Sequence, residues 1–260
     1  MVRDFTLAKY AELCWTLREA GYAGVRMGDY LTQKLPLSQR VVLLRHDVDS
    51  RPAHSAKLAM VEQQHGFRAT YFYRTVRGSL DPHTITRVVE MGHEIGYHYE
   101  TLSQARGNLD EAVARFGREL ERLREYAPVQ VASMHGSPLK PWDNRDIWTR
   151  CQPADFGLVG EAYRDLDYAV LNYFSDTGRT WNPQRYNIRD HVSHPAAHPV
   201  ETTDELIALI KSRQIAHICI LTHPERWADG LGEWLVQASR DVAINVAKLV
   251  IKRLRKVKTV

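Results

Sequence analysis

Hydrophobic positions along the chain alternate between helical spacing and short continuous runs. Residues 7–20 place apolar side chains at helical spacing and stop at Gly21. Residues 41–49 begin as a continuous apolar run and end in charge, which is typical of a buried parallel strand whose carboxyl end opens into a site. Similar patterns predict helices at about 53–65, 83–91, 109–126, 202–213 and 231–257, and strands at 69–76, 94–100, 129–135 and 217–223.

This alternation of strands and helices predicts an α/β fold with a parallel sheet and right-handed crossovers. Periodicity alone leaves a barrel and an open sheet both possible. The pattern blurs between residues 140 and 200, which hold five of the eleven prolines, so we expect shorter strands and long functional loops there. We see no internal repeat and no Gly/Ser-rich linker, and we therefore assign residues 1–260 to one domain.

The composition is that of a globular protein, with 44% hydrophobic and 25% charged residues. A formal net charge of +4 is too small to argue for nucleic acid as a partner. Much of the excess lies in the last nine residues, where five cations follow one another closely: Lys252, Arg253, Arg255, Lys256 and Lys258. We interpret them as the solvated end of a helix, with contact to anionic membrane lipid as the alternative.

The cysteines and the amino-terminal segment predict a cytoplasmic protein. Cys14, Cys151 and Cys219 are odd in number and widely spaced, which fits a reducing compartment better than a disulfide framework. The first five residues carry no apolar stretch of the secretory kind. No apolar run is long enough to span a bilayer, so we expect no transmembrane segment.

Side chains able to bind metal or move protons recur at the carboxyl ends of the predicted strands. In a parallel α/β fold those ends converge on one face, where active sites lie. A single such residue is easily a satisfied polar group, but four strand ends together are not readily explained that way. The residues are Asp47 and Asp49 on the first of these strands, His98 and Glu100 on the third, His135 on the fourth and His223 on the last.

Asp47 and Asp49 are two residues apart on an extended segment, so both side chains point to the same side. Two carboxylates so close repel each other unless a cation or a shared proton lies between them. A metal would hold one as a ligand and leave the other as a base. His98 and Glu100 have the same spacing, and a pocket of this composition suits Zn²⁺ or a similar transition metal.

Four segments, taken in chain order, resemble motifs of the polysaccharide deacetylase (NodB-like) family. They are Arg45-His46-Asp47-Val48-Asp49, Ala69-Thr70-Tyr71-Phe72, Glu94-Ile95-Gly96-Tyr97-His98 and Leu221-Thr222-His223, which together span roughly residues 40–225. The resemblance implies a distorted (β/α) barrel, often with seven strands. It also implies a divalent metal, for which Zn²⁺ is our expectation, and an N-acetylated or sometimes O-acetylated sugar as substrate.

Carried over by position, the resemblance assigns four roles. Asp47 matches the general base, Asp49 and His98 match metal ligands, and His223 matches the general acid. The implied reaction is hydrolysis of an N-acetyl group to an amine and acetate.

The third metal ligand departs from the family pattern. The family usually has a second histidine four residues after His98, and this chain has Leu102 there, which cannot ligate a metal. We predict Glu100 as the replacement, because it lies on the same side as His98 if the strand stays extended. His135 on the adjacent strand is the alternative, and His54 is a more distant one. Alternatively, Glu100 pairs with an arginine and only braces the site.

Two segments are interpreted as contacts to the substrate. His135 lies in a tight turn at a strand end, where the family places a loop that faces the substrate. Asp176, Arg179 and Trp181 gather a carboxylate, a guanidinium and an indole within six residues, and a tryptophan face suits a sugar ring. The competing interpretation of this second segment is a β-turn with a surface ion pair.

The sequence therefore predicts a metal-dependent hydrolase that removes an N-acetyl group from a sugar. A cytoplasmic precursor of a surface polysaccharide is the expected substrate, with no nucleic-acid partner. Two alternatives stay open at this point. One is a cyclic amide or imide hydrolase, since allantoinase-like relatives share the fold, and the other is a sugar-binding protein with a relict site.

Overall fold

The computed structural model describes residues 3–33, 39–182, 186–194 and 198–257. Within these ranges the strands are β1 Ala23–Gly24, β2 Val41–Val48, β3 Thr70–Tyr73, β4 Glu94–Tyr99, β5 Val129–Met134, β6 Gly160–Glu161, β7 Asn172–Ser175 and β8 His217–Thr222. The α-helices are α1 Leu7–Glu19, α2 Met27–Thr32, α3 Ala53–Gln64, α4 Pro82–Glu90, α5 Thr101–Gln104, α6 Leu109–Arg124, α7 Thr203–Ser212 and α8 Leu231–Val257. Short 3₁₀-helices cover Asn144–Thr149, Pro153–Phe156 and Pro224–Arg226.

The strands form one parallel sheet that curls into a half-barrel. Seven of them follow the order β6-β5-β4-β3-β2-β8-β7, and β1 pairs with the beginning of β2. Every strand pair among the described residues is parallel. The predicted α/β class and the distorted (β/α) barrel with seven strands are confirmed, with the barrel open between β6 and β7.

The two faces of β2 belong to different cores. Val42 and Leu44 join the larger core, which lies between the sheet and its helices. Val41 and Leu43 join a smaller core on the concave side of the sheet. Because side chains alternate along a strand, the next two concave positions carry the polar residues that reach the site. All eight residues of β2 are buried, as the continuous apolar run predicts.

Gly96 in the third of the four motifs has a steric role in the sheet. It pairs in register with Phe72 of β3. A Cβ atom at position 96 would come within 2.4 Å of the Phe72 ring. A side chain at this position would therefore displace an aromatic ring of the concave core, which explains why the strand has a glycine just before its functional end.

His46 belongs to a buried polar cluster on the helix side of the sheet. Its Nε2 lies 2.6 Å from Glu62 of α3, and its Nδ1 lies 2.6 Å from the Thr222 hydroxyl. Tyr10 and Tyr71 also donate their hydroxyl protons to Glu62. Burial raises the pKa of Glu62, but His46 and these donors outweigh burial and lower the pKa. His46 therefore holds α3 against the sheet and faces away from the site.

The long elements agree with their predicted bounds to within a few residues. The region between 140 and 200 contains short strands and 3₁₀-helices, as expected. The pattern missed β1 and α2, because two and six residues are too few to show a period. The predicted strand at 94–100 is one residue longer than β4, which ends at Tyr99. Glu100 therefore lies just after the strand and not within it.

Candidate active site

A cavity of about 310 Å³ lies at the carboxyl ends of the strands, within the size range of small-molecule sites. Five of the six strand-end residues singled out in the sequence line it: Asp47, Asp49, His98, His135 and His223. They come from β2, β4, β5 and β8 or from the residue that follows each strand. The structure thus brings these side chains together as the convergence of parallel strand ends predicts.

Asp49, His98 and His135 form a cluster with metal-ligand geometry. Asp49 Oδ1 lies 3.5 Å from His98 Nε2 and 3.4 Å from His135 Nε2. One ligand atom from each of the three residues lies within 4.8 Å of the others. Two imidazoles and one carboxylate are a ligand set that suits Zn²⁺ and similar divalent metals.

Both imidazoles are held by their other nitrogen. His98 Nδ1 lies 3.0 Å from the Ser133 carbonyl oxygen, which only accepts, so Nδ1 carries the proton. His135 Nδ1 lies 3.0 Å from Glu100 Oε2 and 3.1 Å from the Ser137 hydroxyl. Each Nε2 therefore presents a lone pair to the cluster, which is how histidine ligands are oriented around metals.

Asp49 supplies the observation that tests whether a metal fits. Its Oδ1 is buried and has no hydrogen-bond partner among the residues that the structure describes. Burial alone raises the pKa of this carboxyl, but positive charge on His135 and His98 outweighs burial and lowers the pKa well below its usual range, and a metal ion would supply that positive charge with both imidazoles neutral. A cation between the two imidazole nitrogens and this buried carboxylate oxygen would stabilise the oxygen, which has no other partner in the described part of the chain. The donor set therefore fits a divalent metal.

Glu100 lies outside this cluster, which corrects its assignment as third ligand. Its backbone has φ −140° and ψ 30°, because β4 ends at Tyr99 and α5 begins at Thr101. Its Oε1 pairs with Arg74 and its Oε2 accepts from His135. Burial raises the pKa of Glu100, but His135 and Arg74 outweigh burial and lower it. Glu100 contacts His135, and His135 is the residue that joins Asp49 and His98 in the cluster.

The other two positions considered for the third ligand also lie elsewhere. Leu102 is 2% exposed and belongs to the hydrophobic core, because α5 turns it away from the cavity. His54 in α3 does not line the cavity, and its Nε2 lies 2.9 Å from Glu233.

Asp47 is fixed by a buried arginine that the sequence-based assignment of roles left out. Arg45 Nε and Nη2 donate to Asp47 Oδ1 and Oδ2 at 3.0 and 2.8 Å. Arg45 also donates to the Ser133 and Tyr163 hydroxyls. Asp47 Oδ2 lies 3.6 Å from His98 Nε2, at the edge of the metal-ligand cluster. The same-side spacing of residues 45 and 47 was the available signal for this pair.

His223 is oriented by Asp176, which lies behind it. The His223 Nδ1 is 2.6 Å from Asp176 Oδ1, and the His223 backbone N–H donates to Oδ2 at 3.0 Å. Arg226 and Trp227 also donate to this carboxylate, at 2.9 and 3.0 Å. Burial and Arg226 lower the pKa of His223, but the Asp176 carboxylate outweighs them and raises it. Asp176 thus acts through His223 and does not line the cavity.

Arg179 and Trp181 do not reach the cavity, which corrects their assignment as substrate contacts. Arg179 lies over the rings of Phe5 and Trp234, and its Nη1 is 3.4 Å from Asp241. Trp181 is 1% exposed, within the hydrophobic core. The Arg179 backbone N–H bonds to the residue 176 carbonyl, so the segment is a turn with an ion pair.

Helix α8 forms a wall of the cavity that the sequence did not reveal. Burial and Arg226 lower the pKa of Lys248 on this wall to about 8. Glu225, beside the general-acid candidate, also lines the cavity, and burial together with Asp49 raises its pKa to about 7. The helix residues that line the cavity are Gln237, Arg240, Asp241, Ile244 and Lys248.

Comparisons with known proteins give weak structural matches only. No family model matches the chain. No curated protein matches it either. A family 4 carbohydrate esterase from Streptomyces lividans is 16% identical, with a TM-score of 0.43, and covers 80% of this chain and 89% of its own. A CE4 esterase from Streptococcus mutans is 17% identical, with a TM-score of 0.43 and coverages of 88% and 89%. A CE4 family pseudoenzyme from Bacillus anthracis is 14% identical, with a TM-score of 0.44 and coverages of 80% and 62%.

Similarities of this size do not assign the chain to a family. The functional interpretation therefore depends on the residues of the cavity.

Proposed function

We propose that the protein is a metal-dependent deacetylase that hydrolyses the N-acetyl group of a sugar. One observation carries the proposal. The cavity that holds the metal-ligand cluster around the unpartnered Asp49 oxygen also holds Asp47, fixed by Arg45, and His223, fixed by Asp176. A ligand set, a carboxylate base and an imidazole acid are the groups that metal-assisted amide hydrolysis requires.

Asp49, His98 and His135 would hold the metal, and we propose Zn²⁺ because two imidazoles and one carboxylate match its usual ligands. When bound there, Zn²⁺ would supply Lewis-acid polarisation of the acetyl carbonyl and would lower the pKa of water. Glu100 holds the imidazole of His135 in the tautomer that this role needs.

Asp47 acts as the general base that removes a proton from the attacking water. Arg45 binds both of its oxygens, so the carboxylate is held in one orientation. A general base must lie within reach of the proton that it takes, and Asp47 Oδ2 lies beside the cluster at 3.6 Å from His98 Nε2.

His223 acts as the general acid that protonates the leaving amine nitrogen. With Nδ1 bound to Asp176, its Nε2 is the atom that donates. The raised pKa of His223 favours the protonated ring, which an acid needs before the C–N bond breaks. The pairing repeats a general arrangement in which a buried carboxylate orients a catalytic imidazole.

We propose that the N-acetylated substrate is a precursor of a surface polysaccharide and that the reaction takes place in the cytoplasm. The three cysteines are free and buried, which is compatible with a reducing compartment.

Metal removal tests the proposal directly. We expect the purified protein to carry about one divalent metal ion per chain, because three protein ligands make one catalytic zinc site. Chelation should eliminate acetate release from N-acetylated sugars, and added Zn²⁺ should restore it. Elemental analysis and an acetate assay measure both effects. Acetate release that is the same before and after complete chelation would contradict the proposed role of the metal. A cyclic imide, assayed in parallel, tests the alternative hydrolase.

Replacing Asp176 by asparagine should move the alkaline limb of the pH–kcat profile to lower pH. The carboxylate raises the pKa of His223, so without its charge the imidazole loses its proton at lower pH and the acid form is depleted earlier. Profiles of kcat between pH 5 and 10 measure the shift.

A carboxylate outside the cavity provides the control for this experiment. Asp143 pairs with Arg145 at 2.7 Å, and Asp143→Asn should leave the profile in place. An unshifted alkaline limb in Asp176→Asn, in a variant whose thermal unfolding shows an intact fold, would mean that His223 is not the titrating acid.

A further inference from the structure

The carboxy-terminal helix α8 is inverted relative to an ordinary surface helix. Its buried side chains are polar, with Gln237 2% exposed and Asp241 and Asn245 each 8% exposed. Its exposed side chains are largely apolar, and eight of the thirteen large exposed apolar residues in the described part of the chain lie on this one helix. One of the eight, Ile244, lines the cavity, and we call the other seven the outer face: Leu231, Leu235, Val236, Val242, Val246, Leu249 and Val250.

The buried polar residues of α8 line the cavity or form hydrogen bonds and ion pairs with residues next to it. Gln237 and Asp241 line the cavity, and Asp241 also pairs with Arg179 and Arg226. Asn245 donates to the Gly178 carbonyl oxygen at 2.8 Å. Polar contacts therefore hold the helix against the rest of the protein. Its apolar side chains remain exposed to solvent, where the hydrophobic effect favours their burial against another surface.

An apolar face of this extent on a single helix is typical of an interaction surface. At 100° per residue the seven side chains of the outer face fall within an arc of about 140° of the helix circumference, with Arg240 beyond its edge. Among the described residues, no helix has the length and hydropathy needed to cross a membrane. Helices with a wide apolar face and a polar, basic remainder are typical of segments that bind in the plane of a membrane interface.

The charge of the same helix indicates which surface it meets. After Asp241 the sequence contains no further aspartate or glutamate. It contains five cations beyond the cavity-lining Lys248, namely Lys252, Arg253, Arg255, Lys256 and Lys258. Clusters of this size next to an apolar helix are attracted to anionic lipid headgroups. A parallel pairing of two copies through α8 would instead bring these cations together, which like-charge repulsion opposes.

We propose that the outer face of α8 docks on an anionic lipid bilayer, with its apolar side chains at the boundary between headgroups and acyl chains. The inner side of the same helix walls the cavity, so docking places the site beside the membrane surface. If the proposed deacetylation also holds, the arrangement suits an acetylated sugar carried on a lipid. Binding to lipid itself does not depend on that reaction.

Vesicle co-sedimentation of the full chain tests the docking. We expect binding to phosphatidylcholine vesicles that contain phosphatidylglycerol, little binding to pure phosphatidylcholine, and weaker binding at high salt. The triple variant Leu235→Gln, Val242→Gln and Leu249→Gln should bind at least about tenfold more weakly, because apolar burial contributes to interfacial affinity. These side chains are exposed, so folding and metal content should not change.

Matched variants distinguish docking through α8 from non-specific hydrophobic adsorption to vesicles and from catalysis. Leu139→Gln with Val170→Gln removes exposed apolar residues elsewhere on the surface and should leave vesicle binding unchanged. Asp47→Asn should also bind vesicles as the parent chain does, whatever its activity. Unchanged binding in the triple variant, or equal binding to neutral vesicles, overturns the proposal. A dimer that the triple variant dissociates, without vesicle binding by the parent chain, overturns it in favour of a second copy.

Discussion

His135→Ala should lose bound metal and amide hydrolysis together. The imidazole supplies one of three ligand positions, with its Nε2 3.4 Å from Asp49 Oδ1 and its Nδ1 held by Glu100. Two remaining protein ligands do not make a catalytic zinc site of the usual kind. Titration of metal-free protein with Zn²⁺ measures the loss of affinity, and acetate release from an N-acetylated sugar measures the loss of activity.

Glu100→Gln is the informative companion to this variant. Glu100 contacts the ligand His135 rather than the cluster, and the loss of such a supporting contact typically lowers metal affinity about 10- to 100-fold. His54→Ala changes a histidine that pairs with Glu233 outside the cavity, so it should retain full affinity. Full zinc affinity in His135→Ala together with its loss in Glu100→Gln would return the third ligand to Glu100.

The helices and strands of the barrel were predicted well from the sequence, because buried elements show a clear pattern of hydrophobic residues. The run that begins β2, Val41 to Leu44, is apolar on both faces, since both faces of a half-barrel strand are covered. The rule that parallel strand ends converge then identified Asp47, Asp49, His98 and His223 as lining one site, without knowledge of the strand order. Their chemical roles stay predictions that the variants test.

The third ligand could not be settled from sequence because it depends on one backbone residue. Glu100 shares a side with His98 only if β4 continues through it, and the strand ends at Tyr99. His135 reaches the cluster because β5 pairs directly with β4, with Ser133 opposite His98. Strand order is a long-range property that periodicity does not contain.

The misplaced substrate contacts have a similar cause. Arg179 and Trp181 are close to Asp176 in sequence, but a tight turn sends them into the interior. A local cluster of polar and aromatic residues does not reveal which side of a turn faces a cavity. Helix α8 was predicted, but its place in the wall of the cavity was missed, because its inward residues are polar and its exposed residues are largely apolar.

Asp47→Asn should lower kcat by about 10²- to 10⁴-fold, which is the usual contribution of a general base. The amide keeps the size of the carboxylate but cannot accept the proton of the attacking water. The proposed metal ligands Asp49, His98 and His135 are untouched, so zinc affinity should be retained. Initial rates on an N-acetylated sugar, with metal content measured on the same sample, separate the two effects.

Asp49→Asn provides the contrast, since both aspartates line the cavity and only Asp49 supplies an oxygen to the cluster. It should lose metal, whereas Asp47→Asn should keep it. Asp47→Asn also weakens the bidentate contact of Arg45, which is 3% exposed, and removing one partner of a buried pair destabilises a protein by about 3–5 kcal/mol. Thermal unfolding should therefore be recorded for each variant, and kcat compared well below the melting temperature. A folded, metal-loaded Asp47→Asn with the kcat of the parent chain would exclude Asp47 as the base and leave Arg45 and Asp47 as a structural pair.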